Sequence, residues 1–202
     1  ATTAAVKLAR AYTNRDIVAR CYDQPFISSD DWFIGSTSYN AGVPKAIQAL
    51  TKTFCYDDIK SLESLFIYYP EQIACVIMEP ATQYHPSYGY LQAVQDLCKK
   101  NGAVLIFDEI ITGFRWRLGG SQSYYGVIPD LACFGKAMAN GFSVSALCGK
   151  KDLMSLGNRD GQQNQVFLLS NTHGGETHGL TAAFATISTL RDNPNIIMDN
   201  WQ

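Results

Sequence analysis

Two short runs constrain this chain more than anything else in it. Ile73 to Met78 and Ala103 to Phe107 are continuously apolar, and each is closed by a carboxylate, Glu79 or Asp108. Apolar runs without alternation suit strands buried on both faces, as in a parallel sheet covered by helices. Between them Leu91, Val94, Leu97 and Cys98 recur at helical spacing and stop at Lys99-Lys100-Asn101-Gly102. A basic last turn followed by Gly is a helix C-terminus. The same alternation extends outward. Residues 1–13 read as an amphipathic helix and Asp16 to Cys21 as a short strand. Residues 22–44 are loop-rich, Pro44 suits the first turn of a helix holding Ala46, Ile47 and Leu50, and Asp57-Asp58 cap a helix with Ile59, Leu62, Leu65 and Phe66. Leu131 to Phe134 and Val144 to Cys148 are two further strands, and Leu180 to Leu190 is a last helix, stopped near Asn193-Pro194. Strands alternating with helices give an α/β fold with a mostly parallel sheet flanked by helices.

Composition narrows the function classes. The chain has 202 residues, enough for one domain with a real core. A net charge of −2 argues against a nucleic-acid backbone binder. No apolar run is long enough for a membrane span. The charged fraction of 17% is low, so a large buried interface is expected. No CxxC pair occurs among the six cysteines, and Cys75, Cys133 and Cys148 sit in apolar runs. A reduced, cytoplasmic protein is therefore expected.

Ligands of open α/β sheets bind at the carboxyl ends of the strands. Glu79-Pro80 follows one apolar run, Asp108-Glu109-Ile110 the next, and Gly135-Lys136 the third. Period-two alternation puts Asp108 and Ile110 on one face and turns Glu109 the other way. A carboxylate facing a ring nitrogen, an Ile against the ring and a Lys from a neighbouring strand form the arrangement that pyridoxal phosphate requires. On spacing alone, a surface salt bridge is the better reading. Gly135-Lys136 is no Walker motif, because Ala137 follows where Ser or Thr belongs. His173, Glu176 and His178 lack the order of a zinc motif. Arg115 and Arg117 could hold a substrate carboxylate, although a solvated or interface pair is the simpler reading, and Glu79 reads as a structural end to its strand. His85 reads as a loop histidine, and Gly157 to Gln165 as a surface loop.

Whole segments carry more than spacing. Val104-Leu105-Ile106-Phe107-Asp108-Glu109-Ile110-Ile111-Thr112-Gly113-Phe114-Arg115 resembles the aspartate motif of class III aminotransferases. Pro129-Asp130-Leu131-Ala132-Cys133-Phe134-Gly135-Lys136-Ala137-Met138-Ala139-Asn140-Gly141 resembles their lysine motif. Val76-Ile77-Met78-Glu79-Pro80 resembles the preceding strand, and Ser170-Asn171-Thr172-His173-Gly174-Gly175-Glu176 resembles the later phosphate-binding segment. Thr112-Gly113-Phe114-Arg115 is most like the glutamate-1-semialdehyde aminomutase branch. Ala81-Thr82-Gln83-Tyr84-His85 replaces the Gln-Gly-Glu usual in ω-aminotransferases, which points away from ω-amine specificity.

The resemblance implies a fold type I large domain using pyridoxal 5'-phosphate. It implies a transaminase or aminomutase that takes a small-molecule amino donor and a carbonyl acceptor through a Lys136 Schiff base. By the same resemblance Asp108 partners the pyridine nitrogen and Ile110 supports the ring. Thr172 reaches the phosphate in the neighbouring subunit of a homodimer, and Phe26, with Tyr22 as the alternative, stacks on the ring. It further implies that residues 1–202 are an incomplete large domain, without the phosphate-gripping turn before Ala1 and without the C-terminal small domain. A non-enzymatic alternative is a truncated or degenerate copy that keeps the fold without turnover.

Overall fold

The computed structural model describes residues 1–24, 28–157, 165–166 and 174–199. Its centre is a sheet of six strands in the order β2-β1-β3-β4-β5-β6. These are β1 (Ile17–Cys21), β2 (Thr51–Phe54), β3 (Ile73–Met78), β4 (Val104–Asp108), β5 (Leu131–Phe134) and β6 (Ala146–Gly149). The first five pair in parallel and β6 runs antiparallel along β5. β3 and β4 are buried throughout, as their unbroken apolar runs require.

Helices cover both faces. α1 (Thr2–Thr13), α2 (Asp31–Ile34) and α7 (Lys151–Ser155) lie on one side, where Leu8, Trp32 and Leu153 pack against Val18, Ile77 and Ile106. α4 (Ile59–Tyr68) and α5 (Tyr90–Asn101) lie on the other, where Leu62, Phe66 and Val94 meet Val76, Leu105 and Phe107. α3 (Lys45–Gln48), α6 (Gly120–Tyr125), α8 (Thr177–Asp192) and α9 (Asn195–Asp199) complete the described helices. Local chemistry sets several ends. Asp58 accepts the N–H groups of Lys60 and Ser61, which satisfies otherwise orphaned donors of α4. Gly102, at φ 64°, closes α5.

The structure departs from the sequence reading in five places. The helix expected after Pro44 is only α3, and Leu50 leads into β2, a polar edge strand with no apolar run to mark it. The loop-rich stretch contains α2, which buries Trp32 and Phe33. The last strand begins at Ala146 rather than Val144, and α8 starts one turn before Leu180. β4 ends at Asp108, so Ile110 lies in the following turn and strand alternation does not place it. Ile110 nevertheless packs against the core cluster to which Ile106 and Cys133 belong. Of the loop Gly157 to Gln165, only its two ends are among the described residues.

Candidate active site at the strand ends

Asp108 ends β4 with its side chain 3% exposed. Oδ1 accepts the Ile110 N–H at 3.0 Å, and among the described residues Oδ2 receives no hydrogen bond. Burial pushes the carboxyl up to about 6, against the pull of the Ile110 N–H and the Lys136 charge. One strand over, Glu79 follows β3 and is also buried. Its carboxyl is pushed up to about 7, first by burial and then by Asp108, while Lys136 pulls it down. The two carboxyls and Lys136 therefore share one electrostatic neighbourhood, as their positions after β3, β4 and β5 require.

Lys136 opens a single 3₁₀ turn (Lys136–Met138) directly after β5. Its φ is 41°, in the left-handed region that side chains other than glycine rarely occupy. Phe114 (φ 60°) and Asn140 (φ 44°) share this conformation. All three line a cavity of about 730 Å³ together with Arg115 and Phe142. Strain of this kind concentrates at functional sites. Gly135 is extended, and a Cβ there would make an ordinary contact with Ile110, so no protein atom demands glycine at that position.

A second cavity, of about 1190 Å³, lies at the ends of β1 and β3, with Arg20, Tyr22, Gln24, Tyr39, Glu79 and Trp116 among its walls. Asp108 and Ile110 line neither cavity. Tyr22 is 69% exposed at the rim. Phe26, Thr172 and His173 lie outside the described residues.

Glu109 points away from Asp108, and its role was not anticipated from the sequence. It is fully buried and accepts hydrogen bonds from the Ser121 N–H (2.9 Å), Ser121 Oγ (3.0 Å), the Gln122 N–H (2.7 Å) and Thr112 Oγ1. Gly120, at φ 78°, makes room for it, since a Cβ there would fall 2.6 Å from Glu109 Oε2. The carboxylate thus ties together both ends of the loop carrying Ile110, Phe114 and Arg115. The Gly119-Gly120-Ser121 sequence is its faint trace.

The remaining candidates disperse. Arg115 donates to the Ile111 carbonyl at 2.9 Å, and Arg117 stacks over Tyr124. His85 meets Tyr125 Oη at 2.7 Å beside Trp116. His178 pairs with Glu176 at 3.2 Å. No metal-ligating cluster exists among the described residues.

A parallel sheet with a carboxylate and a strained lysine at neighbouring strand ends defines a class of protein, and comparison with known families names it. The family described as aminotransferase class-III matches residues 1–200, and the chain belongs to that family. It is 37% identical to a glutamate-1-semialdehyde 2,1-aminomutase of Desulforamulus reducens, over 95% of this chain and 46% of that protein. It is 36% identical to the enzyme of the same name from Thermosipho africanus, over 96% of this chain and 48% of that protein. The fold matches the internal aldimine form of the FumI protein of Sphingopyxis sp. MTA144, with TM-score 0.83 and 26% identity over 96% of this chain and 46% of that one. The chain spans about half the length of the curated relatives it matches.

Proposed function

We propose that this chain is the cofactor-binding core of a pyridoxal-phosphate-dependent enzyme that moves an amino group, as a transaminase or an aminomutase. The single observation that carries the proposal is the shared neighbourhood of the buried Asp108 and the strained Lys136 at the ends of β4 and β5. Family membership and the aminomutase relatives support it.

The residues fit the cofactor. Asp108 is a buried carboxyl whose Oδ2 lacks a partner among the described residues, and a protonated ring nitrogen is the partner such an oxygen lacks. When bound, pyridoxal phosphate supplies an electron sink for the carbon bearing the amino group. Lys136 would hold the cofactor through its amine. Released, that amine is the base that takes the proton from the amino-bearing carbon and returns it elsewhere. Asp108 keeps the ring nitrogen protonated, and Ile110 supports the ring face. Phe26, or Tyr22 at the cavity rim, would stack on the ring, and Thr172 would reach the phosphate across a homodimer with shared sites. The substrates would be a small-molecule amino donor and a carbonyl acceptor.

All six cysteines are free thiols, four of them buried, which suits the reducing cytoplasm. Among the described residues no helix is long and apolar enough to cross a membrane. Titrating pyridoxal phosphate into the protein tests the proposal. A visible absorption band is expected in the wild type and its loss in Lys136→Ala. A band that survives the substitution overturns the assignment.

A further inference from the structure

Arg20 is a buried charge with no acid paired to it among the described residues. It sits on β1, is 3% exposed, and packs its guanidinium over Phe33 with Cζ 4.5 Å from the ring centroid. Nε donates to Ser36 Oγ at 2.7 Å, Nη1 to the Cys21 carbonyl at 2.7 Å, and Nη2 to the Ser36 carbonyl at 3.1 Å. A guanidinium carries five N–H donors, so two remain without a partner among the described residues. No carboxylate there forms an ion pair with Arg20, although buried charges are ordinarily paired. Burial lowers its pKa, the mark of a cation held away from water without a countercharge.

Arg20 also forms part of the wall of the 1190 Å³ cavity. Of the carboxyls on that wall, Asp23 accepts the Tyr56 N–H at 2.9 Å, and Glu79 is pushed up to about 7, so near neutral pH about half of its charge is lost. The aromatic rings of Tyr22 and Trp116 provide apolar surface on the same wall.

We infer that Arg20 anchors a carboxylate-binding subsite in this cavity, which selects amino substrates carrying a second, acidic group. The inference rests on the amino-transfer reading above and deepens it. β1 is three strand steps from β5, the strand that leads into Lys136. At about 4.8 Å per step this is about 14 Å between backbones, so the acidic group stands well back from the reacting amine, with Glu79, on the wall of the Arg20 cavity and within the field of Lys136, between them. A planar fork with two free N–H groups suits a carboxylate.

Calorimetric titration of glutarate and of its uncharged diamide, into cofactor-loaded and cofactor-free protein, tests the subsite. Glutarate is expected to bind at least about tenfold more tightly than the diamide in both forms, as a charge-assisted pair implies. In the loaded form the Lys136 amine is engaged, which removes it as a competing anion site. Arg20→Met should abolish the preference, and Arg20→Lys, which keeps the charge but not the fork, should reduce it. Equal affinities in the wild type, no glutarate binding, or an unchanged preference in Arg20→Met overturns the subsite. A uniform loss for both ligands also overturns it, because that marks a mere brace for the Ser36 loop. Tighter binding of inorganic phosphate than of glutarate overturns the carboxylate assignment. Should Arg20→Met not fold, the wild-type preference and its reduction in Arg20→Lys decide. Failure of the cofactor band would strike the amino-transfer reading alone, since glutarate binding to the cofactor-free protein is read independently.

Discussion

Gln24 grips Glu79 by its backbone. Its Nε2 donates to the Glu79 carbonyl at 2.7 Å, and its Oε1 accepts the Glu79 N–H at 2.8 Å. The side-chain amide thus takes the place of another strand residue where β1 has already ended, and fixes the backbone that presents one of the site's carboxyls. Gln24→Ala would leave a buried N–H and carbonyl unpaired. A loss of about 1–3 kcal/mol is expected in denaturant unfolding. An unchanged midpoint would show that the pairing adds nothing.

Glu79 sets a pH dependence. Its folded pKa, about 7, lies above the ordinary 4.5. A carboxyl raised on folding favours the folded state when protonated, so that contribution is full below about 4.5 and is lost as the pH rises through about 7. Asp108, raised to about 6, acts in the same direction. Cofactor-free Glu79→Gln should therefore gain thermal stability over the wild type at pH 8 and show little gain at pH 4.5. A gap of equal size at both pH values would contradict this.

Asp108 has a separable role from Lys136. Asp108→Asn keeps the shape but not the charge that holds a ring nitrogen protonated. The visible band should persist at weakened cofactor affinity, while amino transfer falls by at least about 100-fold. Lys136→Ala should instead remove the band. Equal transfer rates in Asp108→Asn and the wild type would remove Asp108 from the mechanism.

Gly120 tests the Glu109 anchor. Gly120→Ala adds a Cβ at φ 78° and within 2.6 Å of Glu109 Oε2. A loss of about 1–3 kcal/mol is expected. Gly126 is also at positive φ but has open space around it, so Gly126→Ala should be the milder change of the two in parallel thermal melts.

The fold was legible where burial leaves a mark on consecutive residues. β3, β4 and β5 follow from apolar runs, α4 from Asp58, and the end of α5 from Gly102. β2 was not legible, because an edge strand reading Thr-Lys-Thr-Phe carries no such run. At the site, the positions of Asp108 and Lys136 could be read, because one closes β4 and the other opens the turn after β5. Gln24, Arg20 and Glu109 could not. Gln24 meets Glu79, 55 positions away, and Glu109 meets Ser121, 12 away, across a loop of no fixed period. Arg20 stands in a strand where a cation has no evident reason to be until the cavity beside it is seen.

The backbone at Lys136 carries a cost of its own. A lysine at φ 41° stands in a region that glycine adopts far more readily. The single turn after β5 therefore aims the Lys136 amine at the expense of backbone strain, and any change that relaxes the turn also moves the amine.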